Sequence, residues 1–437
     1  MSSITKPGPH GPGLFSFITL GCKSNQYDSA AMAAALESAG LSRGSVKESR
    51  VIIINTCTVT GPAEAQCRKA IRQARRINAE ATLVVSGCMS VASKDLIAQM
   101  DEVDLVIEPG EKGTLSRRLG LDSTDEWTDW PVDPAVDLGE RDRGFLKVQD
   151  GCNAQCTYCI VPLVRGRSRS LDPDTVLDAV RRLMDRGFLE VVLSGIHLGQ
   201  YGGDLDPVVK LETLLERFLN DVMPGRLRLS SIEPLEITPH LVGLLAAADG
   251  RICRHVHIPM QSGSNRILGA MGRPYTRDQF AEAVDTLTGS VPGIGIGCDV
   301  ICGFPGETLE DFQQTFELIK QFKIPFIHAF PFSPRPGTGA GSMKDNIPHH
   351  VKKDRVVKLR DLARENRRLF SRSFVGHVLE TVLENRTDDK GRTMGLSDNY
   401  LQVTIADPGE DASPGEIVKV HIDTVEDDIL VGRIQIS

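Results

Sequence analysis

Short apolar runs separated by amphipathic stretches recur along this chain, and their period changes twice. The first third alternates strand and helix patterns: strands at 16–19, 51–54 and 83–85, helices at 28–39, 63–76 and 94–100. Val51-Ile52-Ile53-Ile54 is β-branched without polar alternation. Such a run suits a parallel strand covered on both faces. The pattern predicts an α/β fold class here, a doubly wound parallel domain over 14–120. Residues 121–142 are acidic, contain Pro131 and Pro134, and have no period, so they read as a linker.

The middle of the chain repeats strand then helix six times, with strands at 145–148, 191–193, 227–229, 255–258, 296–301 and 326–330. Asp172-Pro173 and Thr238-Pro239 place an acceptor side chain before a proline at the first helical position. Thr276 with Gln279 fits a capping box. Six units are too few for a closed eight-stranded barrel. An open partial (β/α)6 barrel over 143–370 is expected, with its chemistry at the C-terminal strand ends. From 371 to 437, alternating stretches such as 378–383 and 417–420 are separated by turns at 389–391 and 407–409. They predict a small antiparallel β-barrel.

Composition narrows the class. The 437 residues suggest about three domains. A net charge of −8 gives no global attraction to nucleic acid, so any such site must be a local basic patch. No apolar run reaches the ~18 residues of a membrane span. Residues 1–13, rich in Pro and Gly, read as a disordered tail and not a signal peptide. Without an export signal the ten cysteines point to a reducing, cytoplasmic setting, where clustered Cys bind metal or do redox work.

Two cysteine patterns carry chemistry. Cys152, Cys156 and Cys159 follow the strand at 145–148 in a Gly-Cys-x-x-x-Cys-x-x-Cys loop. Three thiolates on one short loop can hold an iron–sulfur cluster and leave one iron open. A zinc site lacking its fourth ligand, or plain buried Cys, are the alternatives; structural zinc is closed by four ligands. Cys22, Cys57 and Cys88 each come directly after an N-terminal strand. Strand C-terminal ends share one edge of an open parallel sheet, so this second triad should converge there. Cys67, Cys253, Cys298 and Cys302 read as packed residues, and His197 and His255 as structural.

The chain resembles the radical S-adenosylmethionine methylthiotransferases over nearly its whole length. Residues 151–162 (Gly-Cys-Asn-Ala-Gln-Cys-Thr-Tyr-Cys-Ile-Val-Pro), 19–29, 55–60, 259–264 and 303–308 match their motifs, and the C-terminal barrel resembles their TRAM domain. Cys22-Lys23-Ser24-Asn25-Gln26 and Asn55-Thr56-Cys57-Thr58-Val59-Thr60 resemble the branch acting on N6-threonylcarbamoyladenosine at tRNA position 37. Branches acting on isopentenyladenosine or on a ribosomal-protein aspartate are the neighbouring readings. A two-cluster electron-transfer protein or an RNA-binding protein are those from other classes.

The resemblance implies two 4Fe–4S clusters and S-adenosylmethionine as cofactors. One cluster would yield a 5′-deoxyadenosyl radical and the other would deliver sulfur, with one S-adenosylmethionine as methyl donor and another as radical source. Metal ligands would be Cys22, Cys57, Cys88, Cys152, Cys156 and Cys159. Tyr158, Ser194, Gly195, Ser231, Glu233, Gln261, Ser262 and Gly303 would line the cofactor rim. Expected partners are the tRNA anticodon stem-loop, an electron donor such as flavodoxin or ferredoxin, and a sulfur donor, with no membrane.

Residues 371–437 hold 6 Lys/Arg and 13 Asp/Glu, which does not suit a domain gripping phosphate. Residues 351–372 hold 9 Lys/Arg and 3 Asp/Glu. An RNA track is therefore expected at Arg68, Lys69, Arg72, Arg75, Arg76, Arg165, Arg167, Lys352 and Lys353.

Overall fold

The computed structural model describes residues 13–122, 127, 130–131, 133–136, 141–221, 223–406 and 412–435. Residues 1–12 of the tail expected at 1–13, and the turn at 407–409, lie outside them. The N-terminal sheet contains β1 (Leu14–Thr19), β2 (Ser42–Arg43), β3 (Val51–Thr56), β4 (Thr82–Gly87) and β5 (Leu105–Ile107), all parallel, in the order β2-β1-β3-β4-β5. Strand β3 is buried throughout because both faces are covered. Ile52 and Ile54 pack with Cys67 and Ile71 of helix α2 (Gly61–Ile77). Val51 and Ile53 pack with Met32 and Leu36 of helix α1 (Lys23–Ser38).

The partial barrel contains β6 (Gly144–Lys147), a short pair β7 (Gln149–Asp150) and β8 (Arg169–Ser170), then β9 (Glu190–Ser194), β10 (Arg226–Leu229), β11 (His255–His257), β12 (Gly295–Cys302) and β13 (Phe326–Pro331). It is made of two parallel sheets, β10-β9-β6 and β11-β12-β13. Isolated bridges at Leu227–Ile252 and Ser231–His257 join them. Alternation along the strands sorts the side chains. Leu146, Val191, Leu193, Leu227, Val256, Cys298 and Val300 enter the core shared with the outer helices. Phe145, Glu190, Arg226, Arg228, His257 and Asp299 take the other face, toward the lumen. There Glu190 accepts from Arg226 at 2.9 Å and from Arg228 at 2.6 and 3.0 Å. His257 Nε2 lies 3.0 Å from Asp299 Oδ2.

Strands β14 (Val378–Thr387), β15 (Thr393–Ser397), β16 (Gln402–Ile405), β17 (Ile417–Glu426) and β18 (Ile429–Ile434) close a barrel in the order β14-β15-β16-β18-β17. Its β16–β18 pair is parallel, so the barrel is not wholly antiparallel as expected. Alternation reveals a strand but not its direction. The β15–β16 turn plugs the N-terminal mouth of the partial barrel. Arg228 donates to Asp398 O at 3.1 Å and Ser397 O at 2.9 Å, Arg254 pairs with Asp398 at 2.6 Å, and Tyr400 stacks on His255. Part of the acidic surplus of this barrel thus docks it onto basic side chains of the core.

The N-terminal sheet spans the opposite mouth. On one side Asp28 of α1 accepts from Lys147 at 2.6 Å and Arg165 at 3.2 Å, and also pairs with Lys112. On the other, Gly61 N at the start of α2 donates to Ser333 Oγ at 2.9 Å, and Arg335 pairs with Glu64. The stretch expected as a linker is packed where it is described: Ala135 and Val136 are core residues and Tyr27 Oη donates to Pro134 O at 2.7 Å. Among the described residues no helix is long and apolar enough to cross a membrane.

Candidate active site

The loops after β1, β3 and β4 carry Cys22, Cys57 and Cys88. Gly21 adopts φ +100°, and a Cβ there would lie 2.7 Å from Cys57 Cβ, so glycine lets the two loops touch. The Asn25 side chain fastens them by donating to Leu20 O and Thr56 O, both at 2.8 Å. Asn55 closes the knot by donating to Asn25 O at 2.7 Å. Burial pushes the Cys57 thiol up to about 11, and the neighbouring Cys88 and Cys22 add to that rise. Burial also raises Cys88, with Arg165 opposing.

The second triad follows β7. Gly151 adopts φ +73°, and a Cβ there would meet Arg167 O at 2.0 Å. Burial disfavours the Cys152 thiolate, but the His197 contact, the Ala154 N–H and Arg273 together prevail and lower its pKa. His197 Nδ1 lies 3.5 Å from Cys152 Sγ and its Nε2 lies 2.7 Å from Glu236 Oε1. Burial works against the His197 imidazolium, but Cys152 and Glu236 raise it to about 9. Arg273 donates to Cys156 Sγ at 2.9 Å and pairs with Glu233. Burial pushes Cys159 up to about 12. All six cysteines are free. Cationic or hydrogen-bonding donors stand at Cys88, Cys152 and Cys156, the partners that a ligating thiolate needs. The donor set fits two iron–sulfur clusters, each with three protein ligands.

The two triads meet. Cys88 packs against Ile160 and Val164, directly after the second triad. Beside this contact lies a cavity of about 370 Å³ lined by Val59 and Thr60 from the loop after β3, Tyr158 and Cys159 from the second loop, Gln261, and the end of β13. Gln261 has φ +57°, and its Oε1 is buried without a donor. A strained residue with an orphaned acceptor is a feature of ligand-binding positions.

The structure divides the expected rim. Tyr158 and Gln261 line the cavity. Ser194 Oγ donates to Leu146 O at 3.3 Å, Gly195 N donates to Ser230 Oγ at 3.2 Å, and Ser231 bridges to His257. Glu233 holds Arg273. Ser262 and Gly303 do not line that cavity. Ser262 is buried beside Thr315 and Ser264, and the backbone of Gly303 donates to Glu307 at 2.7 Å while packing on Lys352. Helices 309–321 and 349–372 cover those two strand ends.

The expected RNA track is also thinned. Arg165 is buried between Asp28, Asp150 and Asn25, and Lys352 is buried in a pair with Asp345. Arg75 is spent on Asp104 and three backbone carbonyls, and Arg68 on Glu64. Lys69, Arg72, Arg76, Arg167 and Lys353 remain exposed. His197, read from sequence as structural, touches the second triad, and Arg273 was not singled out. His255 is buried against Tyr400.

A family model described as Radical SAM superfamily matches residues 146–319, and one described as Uncharacterized protein family UPF0004 matches residues 15–108. A solved structure of the radical S-adenosylmethionine methyltransferase TsrM from Kitasatospora setae, with cobalamin and a 4Fe–4S cluster bound, superposes with TM-score 0.56 at 18% identity, covering 76% of this chain and 77% of that one. The fold and the site together define a radical S-adenosylmethionine enzyme. The chain is 36% identical to the threonylcarbamoyladenosine tRNA methylthiotransferase MtaB of Bacillus subtilis, covering 93% of both chains. It is also 36% identical to the MtaB of Aquifex aeolicus, over 89% of this chain and 95% of that one. A tRNA-2-methylthio-N(6)-dimethylallyladenosine synthase of Moorella thermoacetica is 34% identical, over 96% and 98%. The chain belongs to the radical S-adenosylmethionine tRNA methylthiotransferases, enzymes whose cofactors are S-adenosylmethionine and two 4Fe–4S clusters.

Proposed function

We propose that this enzyme converts N6-threonylcarbamoyladenosine at position 37 of tRNA to its 2-methylthio derivative, in the cytoplasm, using one S-adenosylmethionine as methyl donor and another as radical source. The observation that carries this reading is the meeting of the two cysteine triads, through Cys88 and Ile160, beside one cavity. In this reading Cys152, Cys156 and Cys159 hold one cluster and Cys22, Cys57 and Cys88 the other. When bound, the first supplies reductive cleavage of S-adenosylmethionine and the second a sulfur for transfer, chemistry beyond side-chain acids and bases.

The chain's own residues have narrower tasks. Arg273 donates a hydrogen bond to Cys156 Sγ, and His197 favours the thiolate form of Cys152. Arg165 does the same for Cys88. Gln261 offers its unpaired acceptor at the cavity wall, and Tyr158 lines that wall beside Cys159. The exposed Lys69, Arg72, Arg76, Arg167 and Lys353 would lie along the anticodon stem. A flavodoxin or ferredoxin would provide electrons, and a separate donor the sulfur.

The test is anaerobic turnover of the reconstituted enzyme on tRNAs carrying each modified adenosine, read by nucleoside mass spectrometry. Formation of 2-methylthio-N6-threonylcarbamoyladenosine is expected. Conversion of the dimethylallyl substrate alone would transfer the chain to the branch of its Moorella relative.

A further inference from the structure

A recess of about 460 Å³ opens between β6 and the C-terminal barrel, lined by Arg141, Asp142, Arg143, Phe145, Glu384 and Arg386. Three cations surround the Phe145 ring: Arg141 at 5.3 Å, Lys23 at 5.6 Å and Arg143 at 6.0 Å from its centroid. Among the described residues neither Lys23 nor Arg141 has a carboxylate within ion-pair distance. Arg143 reaches Glu190 and Glu384 only at 3.7 and 3.6 Å. Both glutamates are already committed to other arginines, at 2.6 Å in each case. Counting Lys23 and Arg386, four cations meet the carboxylates of Asp142 and Glu384, so the recess carries a net positive charge that favours an anion. Lys23 directly follows Cys22, so the cation cluster around Phe145 is tied along the chain to the first triad.

We infer that Lys23, Arg141 and Arg143 bind the carboxylate of the threonyl group on the modified adenosine and thereby select that substrate. The inference rests on the proposed function. A threonylcarbamoyl group carries a carboxylate and a hydroxyl at its tip. A dimethylallyl group has neither, and would leave the three cations unpaired while desolvating them. Relatives of both kinds are almost equally similar to this chain, so overall identity does not decide between them. The charge in this recess does. A phosphate of the RNA backbone has the same sign and is the competing occupant.

The experiment uses the reconstituted holoenzyme and two anticodon stem-loops, one with N6-threonylcarbamoyladenosine at position 37 and one with its methyl ester. Wild type should prefer the acid by about 10- to 100-fold in kcat/KM, the range of a charge-assisted contact. In Lys23→Gln and Arg141→Gln the preference should shrink to within about 3-fold, with iron content and tRNA-independent 5′-deoxyadenosine formation retained as evidence of an intact site. An unchanged preference in both variants would overturn the inference. So would an equal loss on acid and ester, which marks a backbone-phosphate contact. If wild type converts neither stem-loop but methylthiolates a dimethylallyl one, the proposed function fails and this assignment with it, whereas a wild type that converts acid and ester equally overturns the assignment alone.

Discussion

Arg273 illustrates what a single residue adds to a cysteine motif. Its guanidinium donates to Cys156 Sγ and is held from behind by Glu233. Charge-assisted contacts of this kind are roughly twice as strong as neutral ones. Arg273→Gln should lower reductive cleavage of S-adenosylmethionine about 10-fold, measured as 5′-deoxyadenosine, with Arg273→Lys recovering part of it. The six cysteines were legible because three share a tight spacing and three share a position after a strand. Arg273 and His197 were not, because a lone Arg or His has no spacing, and both reach the loop from distant parts of the chain. Arg165 misled for the related reason that a run of alternating arginines looks like a basic patch whichever way each side chain points.

At the scale of elements, a buried charge network fastens α1 to the barrel. Asp28 and Asp150 face Lys112, Lys147 and Arg165. Removing one partner strands the others in a dry setting. Asp28→Asn should destabilise the protein by about 3–5 kcal/mol, read as a lower apparent Tm. The network also sets an acid limit. Burial disfavours the Asp150 carboxylate, but Arg165 and Lys147 prevail and bring it to about 2. Burial likewise opposes the Asp28 carboxylate, and Lys112, Lys147 and Arg165 hold it well below the usual carboxylate range. Both folded values lie below the unfolded value of ~3.9, so their stabilisation is complete above about pH 4 and is lost as pH falls toward about 2. The apparent Tm of wild type should fall steeply below about pH 4, and that of Asp150→Asn less steeply. Most strands behind this network could be read from short apolar runs, and the caps at Asp172, Thr238 and Thr276 form as expected. The split of the barrel into two sheets could not, because hydrogen-bond pairing between neighbouring strands leaves no mark on hydrophobic period.

For the whole molecule, charge is partitioned. Acidic groups of the C-terminal barrel face core arginines, and exposed lysines and arginines run along α2, the helix that leaves the loop carrying Cys57. Reversing Lys69, Arg72 and Arg76 should weaken tRNA binding about 10-fold or more at moderate salt and flatten its salt dependence by roughly two to three contacts. Binding and salt slope equal to wild type would remove α2 from the RNA track.

The central claim is that two clusters, held by separate triads, serve one reaction. Its most direct measurement is iron content and product analysis of the anaerobically reconstituted Cys22→Ala, Cys57→Ala, Cys88→Ala triple variant beside wild type. Wild type should bind about eight irons per chain and the variant about four. The variant should still form 5′-deoxyadenosine but yield no methylthiolated nucleoside. Methylthiolation by the variant, or an unchanged iron content, would contradict the account.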